Sequence, residues 1–66
     1  MAIAKNIEVI CSSTAGIEDA VSSGIVKAGE TIKNIEGAWV KDTKVVVRNN
    51  QVAEWRVTLV VTFIVE

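Results

Sequence analysis

From Gln51 to Glu66 the chain reads as one strand, and neither of its faces is made for water. Strand side chains alternate with a period of two. Trp55, Val57, Leu59, Val61, Phe63 and Val65 therefore share one side, and Val52, Glu54, Arg56, Thr58, Val60, Thr62 and Ile64 the other. The first set is wholly apolar and the second is mixed. Upstream there is a single amphipathic helical stretch, and one helix covers one face of a sheet. The second face must then be covered by another subunit, a membrane or a ligand. Subunits are the expected answer.

The size of the chain leads the same way. Its 66 residues form one domain, 1–66, at a length where roughly 60% of the unfolded surface can be buried. So thin a core is usually reinforced by disulfides, a metal or oligomerisation. A lone cysteine, Cys11, excludes an internal disulfide, and the absence of histidine removes the usual zinc ligands. A hydrophobic content of 50% exceeds what a monomer this small needs for its own core. Seven Lys and Arg against eight Asp and Glu give a formal charge of -1, with Lys41, Lys44 and Arg48 scattered rather than clustered, which argues against a nucleic-acid partner. No stretch reaches the ~20 apolar residues of a spanning helix. The first ten residues carry Lys5, Asn6 and Glu8 where a signal peptide needs an apolar core. A cytoplasmic protein is expected, and Cys11 fits a reducing compartment.

Ile3 to Cys11 alternates as a first strand. Ser12, Ser13 and Thr14 follow as candidate N-caps, with Glu18 and Asp19 placed for the positive end of a helix dipole. Ile17, Ala20, Val21, Gly24, Ile25, Ala28 and Ile32 then form one helical stripe, with Ile35 just beyond. Gly24 lies on that stripe, where it marks a close approach of helix and sheet. Glu36 to Arg48 is the second strand and Gln51 to Val65 the third. Asn49 and Asn50 make the turn between them, because asparagine tolerates the positive φ of a primed two-residue hairpin. That turn pairs Arg48 with Gln51, Lys44 with Trp55 and Lys41 with Thr58. Ala38, Val40, Asp42, Lys44 and Val46 then share the side of Trp55, which the helix covers near its apolar half. Gly37, Trp39, Lys41, Thr43, Val45 and Val47 share the side of Arg56, Thr58, Val60 and Thr62. The fold class is α+β: strand, helix, strand, strand, a three-stranded antiparallel sheet partly wrapped around one helix.

The segments KNIEV (Lys5 to Val9), Ser12 and Ser13, IEDAV (Ile17 to Val21), AGET (Ala28 to Thr31) and EWRVTLVVTF (Glu54 to Phe63) together cover nearly all of the chain. In them the chain resembles the dodecins, small flavin-storing proteins that assemble as hollow dodecamers. The resemblance implies a homododecamer and a flavin, riboflavin or FMN, as cofactor. The family's flavin site is carried by a tryptophan at the start of the second strand and a glutamine in the third. Those positions here are Gly37 and Arg56. A glycine cannot stack on an isoalloxazine ring, and an arginine cannot accept a hydrogen bond as an amide does. In this the chain is similar to the subgroup that lacks the stacking tryptophan, members of which have been described as binding calcium or as having no known flavin.

Trp39 is two steps from Gly37 on the same side, about 7 Å away. It is expected to pack across a subunit contact, with a displaced stacking platform as the alternative. Trp55 is expected at the core or its edge. Arg56, between Glu54 and Thr58, reads as a satisfied interface charge or as an anion contact. Glu8 and Asp42 are the best-placed isolated acids, but no loop gathers acids at calcium-motif spacing, so no metal ligands are assigned. Catalytic signatures are missing: there is no histidine, no hydroxyl or thiol with a visible base, and no phosphate loop. Cys11 reads as unreactive. The expected function is non-catalytic binding and storage of a small ligand by a hollow homo-oligomer, with Gly37, Trp39 and Arg56 as candidate contacts. A structural oligomer without a ligand, or a calcium- or anion-binding variant, is the alternative. In a lone protomer Val45, Val47, Val60 and Ile64 are expected to be bare.

Overall fold

A computed structural model describes residues 2–65. The element order is β1 (Ile3–Ser13), α1 (Ile17–Ala28), β2 (Ile35–Arg48) and β3 (Gln51–Val65). The strands form one antiparallel sheet in the order β1-β3-β2. The strand with the most continuous apolar run thus lies in the centre, paired on both edges, which is where such a run is most protected. Asn49 and Asn50 have φ of 53° and 59°, as a type I′ hairpin turn requires, and Arg48 pairs with Gln51. Glu66 lies outside the described residues.

Three local features differ from the sequence reading. β1 continues to Ser13, and no side chain caps the first helical turn. The Ser13 hydroxyl instead accepts from the backbone N–H groups of Ala15 (2.9 Å) and Gly16 (3.4 Å) and donates to Asp19 Oδ2 (2.6 Å), which secures the connection into the helix. The residue at the cap is Gly16, whose φ of 154° suits a residue without Cβ. At its other end α1 stops at Ala28 rather than continuing to Ile32. Bonds from Glu30 N to Lys27 O and Thr31 N to Ala28 O, both 3.2 Å, tighten the chain into a turn there.

The core is thin: Ala20, Val57, Leu59 and Val61 are fully buried, flanked by Ile7, Val9, Cys11, Val21, Ile25 and Ile35. The helix reaches the sheet over β1 and β3. Ala38 and Val40 of β2 accordingly remain exposed on the helix side, where sequence had placed them under the helix. The molecule extends 52 Å along its longest axis, whereas a twelve-residue helix is about 18 Å long. The distal hairpin therefore runs past the helix with Val45, Val47 and Val52 exposed. Gly24 is where helix and sheet touch most closely. A Cβ built there would stand 2.2 Å from Cys11 Sγ and 3.1 Å from Cys11 Cβ.

The hairpin register also departs from the simple count. Ala53 is an extra residue in β3, between the pairs Val47–Val52 and Val46–Glu54, and Lys41 is an extra residue in β2, between Val40–Leu59 and Asp42–Thr58. Each bulge shifts the pairing by one, and a one-residue shift exchanges faces. The two shifts restore the simple pairing count toward the middle of the hairpin, but beyond Lys41 the residues of β2 from Asp42 to Arg48 exchange sides. Glu36 is a third extra residue, between Ile35–Phe63 and Gly37–Thr62. Lys44 pairs with Arg56 rather than Trp55, and Asp42, not Lys41, pairs with Thr58. Asp42 and Lys44 thus join Arg56 on the face away from the helix. Thr43 and Val45 move to the helix side, opposite Val57 and Trp55. Val60 is a further correction: at 9% exposure it is buried within the protomer, flanked by Glu8 on β1 and Trp39 on β2. Ile64 is half-buried.

Candidate functional site

The face away from the helix carries Asn6, Glu8, Ile10 and Ser12 from β1. It carries Arg56, Thr58, Val60 and Thr62 from β3, and Gly37, Trp39, Asp42 and Lys44 from β2, by register. Its polar groups are tied together across the strands. Thr62 Oγ1 donates to Asn6 Oδ1 at 2.7 Å. Lys41 Nζ reaches over β3 to donate to Glu8 Oε1 at 2.8 Å, an ion pair that closes over the centre of the face beside Val60. That bond, with the attraction of the Glu8 carboxylate, holds the Lys41 ammonium above its ordinary range. Arg56 Nη2 donates to Glu54 Oε1, and this bond above all keeps the Glu54 carboxyl below the usual carboxylate range. Among the described residues no polar side-chain atom is buried without a partner.

At the distal end of this face lies a cleft of about 380 Å³ lined by Ile10, Asp42, Thr43, Lys44, Arg56 and Thr58. It exists because the two bulges bring Lys44 and Asp42 round to Arg56. Sequence reasoning singled out Arg56 and missed its two charged neighbours, having turned them toward the helix. The signal was there in the misfit: two charges at positions assigned to an otherwise apolar side.

Gly37 sits opposite Thr62, and nothing lies within 4 Å of where its Cβ would stand, so the surface is open there. Trp39, opposite Val60, is 51% exposed. Gly37, Trp39 and Arg56 therefore share a face. They are not brought together within one chain: along β3, four residues separate Arg56 from the partner of Trp39 and six from that of Gly37, about 13 and 20 Å. A compact ligand touching both ends has to take one group from another copy. Trp55 is half-buried on the helix side, opposite Ser13 and Val45.

A second, more apolar groove of about 690 Å³ runs between the later half of α1 and β1, with Val9, Cys11, Gly24, Ala28 and Ile32 in its lining and Lys27 beside them. Burial pushes the Cys11 thiol up from its ordinary range, away from the reactive thiolate. Glu8 is engaged by Lys41 and Asp42 lies in the cleft. Among the described residues no three of His, Cys, Asp and Glu come together as a metal site would require, and no helix is long and apolar enough to cross a membrane.

The family model described as Dodecin matches residues 3–66. Among solved structures, the dodecin of Streptomyces coelicolor superposes with a TM-score of 0.95 at 26% identity, over 98% of this chain and 93% of that one. The dodecin of Streptomyces davaonensis gives 0.94 at 25% identity, over 98% and 96%. An arginine-to-alanine mutant of Thermus thermophilus dodecin gives 0.94 at 26% identity, over 100% and 98%. No curated protein sequence matches.

Proposed function

Because the chain belongs to the dodecin family, we propose that it is a non-catalytic protein that binds and stores a small ligand within a hollow homo-oligomer. The observation that carries this reading is the face away from the helix: a cleft with charged and hydroxyl groups at its distal end and a half-exposed indole farther along the same sheet surface, which the chain's own helix leaves uncovered. Self-association is the natural cover for Val45, Val47 and Val52 on the distal hairpin, for Val40 on the helix side of β2 and for Ile10 on the open face, since burying exposed apolar side chains favours contact. Twelve copies in a shell of cubic-type symmetry is the proposed arrangement, on the family's precedent.

The ligand is proposed to differ from a flavin held by ring stacking. Gly37 leaves the stacking position without a ring, and Arg56 presents only donors where an amide would also accept. Titration of riboflavin and of FMN with purified protein tests this directly. Unchanged flavin fluorescence at micromolar concentrations is expected, and stoichiometric quenching would overturn it, with Trp39 then the stacking group. A purely structural oligomer is the second reading, favoured by the exposed valines of the hairpin. A crystal structure with ordered non-water density against Trp39 or Arg56 would exclude it.

A further inference from the structure

We propose that the distal cleft of the open face is an anion subsite, in which Lys44, Arg56 and Thr58 hold a phosphate group, free or esterified, of the stored ligand. The proposal rests on the storage reading above and names the chemistry its site would select. Lys44 and Arg56 are cross-strand partners on the same face, which brings their Cβ atoms to about 5 Å, and like charges so opposed destabilise a sheet unless something negative lies between them. Glu54 supplies part of that charge, but through a single nitrogen of Arg56. The guanidinium has five N–H donors, and the Glu54 contact fixes its position while leaving donors free. Lys44 forms no ion pair among the described residues. Thr58 adds a hydroxyl and Ile10 an apolar wall. The planar fork of an arginine beside a lysine suits phosphate oxygens better than any neutral ligand edge.

Asp42 lines the same cleft and opposes an anion, which gives the proposal a signature that general stickiness lacks. Isothermal titration calorimetry of the assembled protein with inorganic phosphate and pyrophosphate is expected to show saturable binding that weakens with added salt. Lys44→Ala and Arg56→Gln should each weaken it about tenfold, the usual worth of a charge-assisted bond. Asp42→Asn should tighten it several-fold. Lys33→Ala, an exposed lysine outside the cleft, should leave it unchanged. AMP and adenosine compared in the same assay separate the sources: stronger binding of AMP than of phosphate identifies an ester, and adenosine alone should be silent.

Sedimentation velocity on every variant checks that assembly survives. If Arg56→Gln disrupts it, Lys44→Ala and Asp42→Asn still decide, since both positions are exposed. Absence of saturable binding, or binding indifferent to Lys44→Ala and Asp42→Asn, would overturn the subsite. Mass spectrometry of small molecules released from freshly purified protein addresses the storage reading separately, because a site that binds added pyrophosphate can be found in a protein that carries no stored ligand.

Discussion

Replacing Gly24 with alanine tests the packing of helix on sheet at its tightest point. Taken alone, the helix should gain about 1 kcal/mol, because alanine loses less backbone entropy than glycine. Against this, the new methyl would lie 2.2 Å from Cys11 Sγ. Relief requires the thiol to leave its rotamer or the helix to lift from β1, and overpacking of this kind costs about 1–3 kcal/mol. The net expectation is a destabilisation of up to about 2 kcal/mol. Removing the sulfur reverses the sign. With Cys11→Ala in place the closest contact left is Cβ to Cβ at 3.1 Å, which a shift of a few tenths of an ångström absorbs, so Gly24→Ala becomes neutral or stabilising there. Chemical denaturation of wild type, both single variants and the double variant, at one protomer concentration because an oligomer's stability depends on it, yields the coupling energy. A coupling of about 1–3 kcal/mol is expected. Additive effects, or a stabilising Gly24→Ala in the wild-type background, would refute the close approach.

Val60→Glu places a charge at a buried position beside Glu8 and should abolish both assembly and most secondary structure by sedimentation velocity and circular dichroism; a folded, soluble monomer would contradict it. Asn50→Val forces a β-branched residue to a φ of 59° and should cost about 1–2 kcal/mol, whereas Asn50→Gly should be nearly neutral. Glu54 has a lowered folded-state pKa, so its contribution to stability is present above the ordinary carboxylate range and is lost as pH falls through the lowered value. For Lys41, whose folded pKa is raised, the contribution is complete below the ordinary lysine range and is lost as pH rises beyond it. Denaturation curves across pH should therefore lose their acid-side loss selectively in Glu54→Gln and their alkaline-side loss selectively in Lys41→Met.

Much of the fold was legible because it is written in local signals. Asn49 and Asn50 announce the turn, period-two alternation marks the strands, and Gly24 on an apolar stripe marks the contact with Cys11. What sequence missed depends on non-local choices. Nothing local to Ala53 or Lys41 says that each will be the extra residue of a bulge, yet those two set the pairing of Asp42 to Val46 and so bring Lys44 and Asp42 to Arg56. Likewise, the burial of Val60 follows from its central strand and from the Glu8 to Lys41 bridge beside it, a pairing between residues 33 apart. The helix position over β1 and β3 is a packing outcome that the apolar stripe alone does not specify. For the candidate site, Gly37, Trp39 and Arg56 were correctly placed on one face, while the distance between its two ends emerged only from the register.

Native mass spectrometry of freshly purified protein tests the central claim most directly, because it counts copies and bound molecules in one spectrum. The account predicts a closed assembly, twelve chains on the family's precedent, carrying extra mass that leaves on mild activation as a non-flavin, phosphate-bearing small molecule. A folded single chain, or a bare assembly that stays bare after incubation with pyrophosphate, would contradict it.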